Sequence, residues 1–453
     1  MTAPIAIVLA AGLGTRMRST TPKVLHAIAG RPLLTYVLAV IAEAGARPLV
    51  VLSKESEAAR SILPPSTPVA LQEPPNGTGH AVQVALAATE AREGVAFVVY
   101  GDTPLLRAST LAGLAATRAE RGAAVALLTA ELGTDNAYGR VVRDAAGNVE
   151  RIVEARLATA AERALPESNL GAYAFDLAWL RAAAPRLRAN ETGELFLTDV
   201  VALARADGRV VAAHRTADPS EGLGVNTRLD LAVVESAVWR RIRERHMLAG
   251  VTFHDPETTT VGADVIIDPD AVIERGSILE GATRVGAGTR IGPYSIVRDT
   301  VVGEDCTVEA SVLEGATLED GVRIGPYSHL RPGAYLERGV ELGNFGEVKN
   351  ARLRAGTKMH HFSYVGDALI GERVNIGAGT ITLNYDGTNK HRTEVGDDAF
   401  IGSDSLLRAP VRVGKGAATG AGSVVTKDVP DGMLAVGAPA RAIKKYVKPL
   451  KKP

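Results

Sequence analysis

The sequence is poor in cysteine: Cys306 stands alone in 453 residues. A lone cysteine excludes an internal disulfide, suits a reducing cytoplasm and implies no thiol chemistry. Net charge is missing as well, because 51 Lys and Arg balance 51 Asp and Glu. That balance gives no electrostatic reason to expect nucleic acid and points to small-molecule partners. Long apolar runs are absent too. Charges, Gly or Pro interrupt every candidate before the ~20 residues that crossing a bilayer requires, so no membrane span and a soluble, cytoplasmic protein are expected. The run Ile5–Ala11 lacks a basic leader and leads into Gly12 and Gly14, so it reads as a first strand rather than a signal-peptide core.

What is present describes a folded chain of more than one domain. Hydrophobic residues make up 46% and charged residues 23%, unlike a disordered segment. A single core stops growing at roughly 250 to 300 residues, so this length predicts at least two domains. Residues 1–226 alternate short apolar runs (Ile5 to Leu9, Leu49 to Leu52, Phe97 to Tyr100) with amphipathic ones, the pattern of an α/β domain with a mainly parallel sheet. Across 227–250, Leu231, Val234, Val238 and Ile242 recur at helical spacing, with Arg240, Arg241, Arg243 and Arg245 expected on other faces. This predicts one long connecting helix, ended at Gly250.

From Val251 to 453 a six-residue period replaces the helical one. Val261-Gly-Ala-Asp-Val-Ile, Ile267-Asp-Pro-Asp-Ala-Val, Ile273-Glu-Arg-Gly-Ser-Ile and Leu279-Glu-Gly-Ala-Thr-Arg run consecutively. The register returns at Ile324, Ile376, Val395, Ile401 and Val413. Such a repeat predicts a prism of short strands with each leading aliphatic residue turned inward and stacked on its equivalents. Thr382 to Arg392 breaks the pattern with polar and turn residues, predicting a loop that leaves the prism. The pattern resembles the hexapeptide-repeat family, which implies a left-handed parallel β-helix.

In the first domain, strand 5–9 enters Leu9-Ala-Ala-Gly-Leu-Gly-Thr-Arg-Met17, a glycine-containing turn whose N–H groups can face phosphates while Arg16 adds charge. It is neither the Walker pattern nor the full dinucleotide fingerprint. Pro22-Lys23-Val24-Leu25-His26 supplies a second cation. With Gln72, Gly77-Thr78-Gly79-His80, Tyr100-Gly101-Asp102, Tyr138-Gly139-Arg140, Glu154, Asn169 and Gly224-Val225-Asn226 in order, this half resembles the sugar-1-phosphate nucleotidyltransferases. Within them it is similar to the N-acetylglucosamine-1-phosphate uridylyltransferases, which implies a Rossmann-like fold. Together with the repeats, the chain resembles the bifunctional bacterial enzymes of UDP-N-acetylglucosamine synthesis. The resemblance implies uracil contacts from Leu9, Ala10, Ala11, Gly12, Gln72, Gly77 and Thr78, and sugar contacts from Gly139, Glu154 and Asn169. Tyr100, Gly101 and Asp102 join the same nucleotide-sugar site.

The chemistry fits these residue types. A sugar phosphate attacking the α-phosphorus of UTP brings anions together, so positioning and charge neutralisation dominate. Arg16 and Lys23 would hold the triphosphate. Asp102 is a hard oxygen donor for Mg²⁺, and the resemblance assigns Asn226 as its partner ligand. His80 is expected to cap or pack.

In the second domain a β-helix alone is a scaffold, so particular residues must decide. The resemblance implies a glucosamine-1-phosphate acetyltransferase site with Arg331, Lys349, Tyr364, Asn375 and Lys390 around the sugar phosphate. It implies an acetyl-CoA site with Ala378, Asn384, Tyr385, Ser403 and Ala421. Amine acetylation needs a base near neutrality, and imidazole titrates there. Neighbouring residues on a strand point to opposite faces, so one of His360 and His361 lines the site. The resemblance selects His361. Near Val436-Gly-Ala-Pro-Ala-Arg441 the family pattern shifts, and the CoA phosphates can fall to Arg441 or to the basic tail of Lys444, Lys445, Lys448, Lys451 and Lys452. The resemblance also implies a homotrimer with acetyltransferase sites at subunit boundaries. The rival reading is a nucleotidyltransferase that uses its solenoid for trimer assembly alone.

Overall fold

The computed structural model describes residues 3–134, 136–190 and 193–446, and the chain divides into two compact units, Met1–Val238 and Trp239–Pro453. The division falls inside the predicted long helix, which runs Arg228–Leu248. No helix among the described residues is long and apolar enough to cross a membrane.

The first unit is built on a twisted sheet. Its strands lie in the order Val211–Arg215, Val125–Glu131, Glu167–Asp176, Val95–Tyr100, Ile5–Leu9, Arg47–Leu52 and Val69–Leu71. Only Glu167–Asp176 runs against its neighbours on this path. The central strands are near-continuous apolar runs, Ile5–Leu9 being buried at every residue, because helices cover both sides. One core forms around Ile7, Val51, Val98 and Phe175, the other around Val8, Val50, Phe97 and Val99. Ile5–Leu9 pairs in parallel with both Arg47–Leu52 and Val95–Tyr100. The turns leaving the carboxyl ends of these strands therefore converge on one side, where open α/β sheets bind ligands.

The second unit is a three-faced prism of stacked parallel strands, with twelve, ten and nine strands on its faces among the described residues, the twelve-stranded face ending in an antiparallel pair. The leading aliphatic residues Val261, Ile267, Ile273, Leu279, Val285 and Ile291 are all buried. A second buried position escaped the hexad reading: Ser277, Thr283, Thr289 and Ser295 are also fully enclosed. Their hydroxyls bond to backbone carbonyls, as Thr289 does to Gly303 O at 2.7 Å. Cys306 occupies this hydroxyl column, its thiol donating to Glu319 O at 3.2 Å. Burial pushes that thiol up from its usual pKa, which makes it a poor nucleophile.

Two expectations are corrected here. Arg243, expected on an outer face of the helix, is 5% exposed and donates to Thr259 O at 3.1 Å and to Glu257 at 3.3 Å. It follows Ile242 by one helical step, so the buried stripe widens to include it and a carbonyl satisfies its guanidinium. The loop predicted from Thr382 begins later. Ile381–Leu383 is a strand paired with Leu406–Arg408, and Thr382 is buried with its hydroxyl bonded to Gly366 O at 3.0 Å. Thr382 takes an inward position otherwise held by aliphatic residues, opposite Leu407 of the next coil, so the excursion starts at Asn384.

Candidate functional site

In the first unit the converging turns enclose a cavity of about 840 Å³. It is lined by Leu9, Ala10, Ala11, Gly12, Arg16, Lys23, Gln72, Gly77, Thr78, Tyr100, Asp102, Gly139, Glu154, Asn169 and Asn226. Of the first-domain residues assigned to the nucleotide-sugar site from the sequence, Gly101 alone is not in the lining. Its N–H donates to Leu9 O at 3.0 Å, and a Cβ there would lie 3.1 Å from the Ala10 Cβ. Gly101 therefore lets two strand ends close up behind the cavity wall. Tyr138 lines the cavity without having been assigned a role, its hydroxyl donating to Gly222 O at 3.0 Å. The motif Tyr138-Gly139-Arg140 was the signal that could have found it.

Charge gathers at one end of this cavity. The Lys23 ammonium touches the Asp102 carboxylate and lies 3.2 Å from the Asn226 side-chain oxygen. Asp102 lies in the turn after its strand, and its carbonyl accepts from Val225 N at 3.0 Å, which ties it to the segment carrying Asn226. Asp230 accepts from the N–H groups of Asn226 and Thr227 at 3.0 and 2.8 Å, capping the long helix and fixing Asn226. Two hard oxygen donors thus converge on one cationic atom, the arrangement that a hard divalent ion with water and phosphate oxygens completing its shell requires. Arg16 makes no hydrogen bond or ion pair among the described residues and faces the same cavity.

Elsewhere in the cavity wall, Gln72 donates to Gly77 O at 2.9 Å and lies 3.2 Å from His80 Nδ1. His80 thus braces Gln72 and does not line the cavity. Gly77 has φ 84°, and a Cβ there would lie 2.4 Å from Leu195 O, so the turn needs glycine both for its conformation and for its close approach. Tyr100 is held neutral well above the usual phenol pKa, by burial first and then by the Glu154 and Asp102 charges. Asn169 donates to the Tyr173 hydroxyl at 2.7 Å, and its N–H donates to Gly139 O at 2.8 Å.

In the prism, strand register aligns the sequence-predicted residues. Lys358 lies opposite Asn375, Asn375 opposite Phe400, and Phe400 opposite Ala418 on the first face. Tyr364 lies opposite Ile381, Ile381 opposite Leu406, and Leu406 opposite Val424 on the second. Midway between these two sets stand His361, Ala378, Ser403 and Ala421, at one corner of four successive coils. The Asp404 N–H donates to Ala378 O and the Gly422 N–H to Ser403 O, which stacks the corners at the ~4.8 Å spacing of neighbouring strands.

Strand alternation does not separate the two histidines. The strand Lys358–Met359 ends before them and the next begins at Ser363, so both sit in the corner turn and both are exposed. What separates them is bonding: His360 Nε2 lies 2.7 Å from Glu341 of the first face, whereas His361 has no hydrogen-bond partner among the described residues.

The other end of the second face is polar. Arg331 pairs with Glu347 at 2.9 Å. The Lys349 ammonium is pushed below the usual lysine range by adjacent Lys390 first, with Arg331 adding to the effect. Asn384 donates to Asp367 and lies 3.4 Å from the Tyr364 hydroxyl. Asn350 donates to the other Asp367 oxygen at 2.6 Å. Burial acts to raise the Asp367 carboxyl, but those two amides with Lys390 and Lys349 bring it below its ordinary value. The excursion is a small hairpin. Tyr385 bridges Lys390, and Asp386 accepts from the Thr388 and Asn389 N–H groups at 2.8 and 2.7 Å and meets His391 at 2.6 Å. Asn375 stands apart from this set, on the first face beside Lys358 and Phe400. Arg441 lies in a terminal antiparallel hairpin opposite Val436 and is exposed. Lys444 and Lys445 follow it there, while Lys448, Lys451 and Lys452 lie outside the described residues.

Comparison with known proteins agrees with both halves. Residues 6–217 match the MobA-like NTP transferase domain and residues 392–427 the hexapeptide repeat of succinyl-transferase, and the prism is a left-handed β-helix. The chain is 46% identical over 434 residues to the bifunctional protein GlmU of Lactococcus lactis subsp. cremoris, covering 95% of each chain. It is 44% identical over 439 residues to that of Heliobacterium modesticaldum, covering 95% of this chain and 94% of the other. With that of Mycobacterium tuberculosis it shares 46% over 453 residues, covering 98% and 92%.

Proposed function

We infer what each half does from what the chain is: it belongs to the family of bifunctional GlmU proteins. It transfers acetyl from acetyl-CoA to glucosamine-1-phosphate, then uridylyl from UTP to N-acetylglucosamine-1-phosphate, giving UDP-N-acetylglucosamine and pyrophosphate. The observation that carries the two-site reading is the presence of a polar crevice on the first unit and a histidine-headed column of small residues on the second. We assign residues 1–226 to uridylyl transfer, 227–250 to the connecting helix and 251–453 to acetyl transfer.

For uridylyl transfer, a phosphate oxygen of the sugar phosphate attacks the α-phosphorus of UTP, and the bond to the leaving pyrophosphate breaks. Arg16 and Lys23 neutralise the triphosphate, and the turns 9–12 and 77–78 with Gln72 grip the base. Gly139, Glu154 and Asn169 take the sugar. Mg²⁺, held by Asp102 and Asn226, would supply further charge neutralisation at the phosphates. The Lys23 ammonium shared by those two oxygens supports a cation site there.

For acetyl transfer, the amine of glucosamine-1-phosphate gives a proton to His361 and attacks the thioester carbonyl. The C–S bond breaks and CoA leaves as the thiol. A histidine with no hydrogen-bond partner among the described residues supports the base role, and Ser403, two coils along the same column, supports acetyl recognition. Ala378 and Ala421 leave room for a thin pantetheine arm along the corner, and Asn384 and Tyr385, at the other end of the second face, are further acetyl-CoA contacts. Arg331, Lys349, Lys390 and Tyr364 suit the sugar phosphate. Asn375 lies on a different face from Tyr364, which favours a site completed by a second copy, in keeping with a homotrimer. Arg441 or Lys444 and Lys445 would meet the CoA phosphates.

The test is to assay each half-reaction in His361→Ala and Asp102→Ala. Each variant should lose one activity and keep the other. A crossed result, with uridylyl transfer lost in His361→Ala, refutes the assignment.

A further inference from the structure

Glu154 stands at the sugar end of the crevice, and among the described residues its carboxylate has one hydrogen-bond donor, the Thr198 hydroxyl at 2.9 Å. Thr198 is 5% exposed and belongs to a segment clipped to the opposite end of the same crevice. Leu195 N donates to Asn76 O at 3.2 Å, and Leu195 O accepts from Gly79 N at 2.8 Å. Leu197 N donates to the Thr78 hydroxyl at 3.0 Å. The segment can lie this close because Gly77 and Gly79 have no side chains, since Cβ atoms there would meet Leu195 O at 2.4 and 3.1 Å. Leu197 is fully buried, so the brace is anchored in the core. Residues 195–198 therefore form a short, bonded path from the nucleotide-binding turn to the sugar carboxylate.

We propose that Thr198 is a positioning residue for uridylyl transfer: its hydroxyl fixes one Glu154 oxygen so that the other is presented to a sugar hydroxyl, in register with the turn at Thr78. The proposal rests on the reading of Glu154 as a sugar contact. A carboxylate without this donor rotates freely and must be ordered by the substrate, which lowers affinity for the sugar half and leaves the nucleotide half untouched. The contact is the same before and during phosphoryl transfer, so its loss raises KM without lowering kcat.

Thr198→Val removes the donor at nearly constant shape, and Thr198→Ser keeps it. In full-length protein with Mg²⁺, Thr198→Val should raise KM for N-acetylglucosamine-1-phosphate about tenfold, the factor for one hydrogen bond to a charged group. The kcat should stay within about twofold. Calorimetry should show UDP-N-acetylglucosamine binding weakened by a like factor and UTP binding unchanged. Thr198→Ser should restore both, and Thr198→Val in a Glu154→Ala background should add nothing. A wild-type KM in Thr198→Val, equal weakening of UTP, failure of serine to rescue, or an additive double variant overturns the proposal. A wild-type protein that binds UTP but not the nucleotide sugar would instead overturn the reading of the site itself.

Discussion

Lys23 and Asn226, more than two hundred residues apart in sequence, meet at 3.2 Å, with the Asp102 carboxylate touching the same ammonium. Both side-chain oxygens point at one positive atom, and the side chains of Lys23 and Asp102 are 13% and 12% exposed. A divalent ion at these oxygens would displace the lysine and free it for the phosphates. Asp102→Asn and Asn226→Ala should each lower uridylyl transfer at least a hundredfold and weaken Mn²⁺ binding measured by electron paramagnetic resonance. Chelation with EDTA should abolish uridylyl transfer and spare acetyl transfer. Undiminished Mn²⁺ binding in both variants would remove the metal from these residues.

His361→Ala should lower acetyl transfer by about 10² to 10⁴, the usual share of a general base, with uridylyl transfer within about twofold of wild type. His360→Ala, which loses only its contact with Glu341, should cost acetyl transfer less than about threefold. The reverse ranking would exchange the two histidines.

Lys349 loses its proton on the alkaline side earlier than an ordinary lysine because Lys390 stands beside it. Phosphate affinity that depends on the Lys349 charge is full below this lowered pKa and falls as pH rises through it. In Lys390→Ala the repulsion is gone, so the Lys349 pKa rises. The alkaline limb of KM for glucosamine-1-phosphate should then move to higher pH, even though affinity near neutrality is weaker. A limb that stays in place shows that Lys349 does not govern it.

Gly77→Ala should cost about 1 to 3 kcal/mol of stability, since it combines a positive φ with a near collision. Its Cβ would lie 2.4 Å from Leu195 O at φ 84°. Thermal unfolding of the first unit measures the cost, and UTP binding should weaken with it. An unchanged melting temperature would mean that the turn relaxes without cost.

The first crevice was legible in sequence because its glycines, cations and carboxylates come in short motifs at strand ends, where local chain geometry already aims them. Thr198 was not, because its partner Glu154 is 44 residues away in sequence and neither flanking sequence carries a phosphate- or metal-binding pattern. Thr382 reads as loop because an inward-facing hydroxyl looks polar in sequence, although it bonds to the Gly366 carbonyl. Arg243 was misplaced for the converse reason: a charged side chain is enclosed when a backbone oxygen can receive it.

The sequence by itself determined an α/β unit, a long helix and a six-residue repeat, because strand, helix and hexad periods are written by neighbouring residues. Which distant residues share a corner was decided only in the tertiary structure. The coils are unequal: Val272 pairs with Arg290, Thr307 with Arg323, and Asn375 with Phe400 across the inserted hairpin. Counting by sixes therefore loses register, and hydrogen bonding between coils restores it. That bonding aligns His361, Ala378, Ser403 and Ala421 in one column while leaving Asn375 on another face.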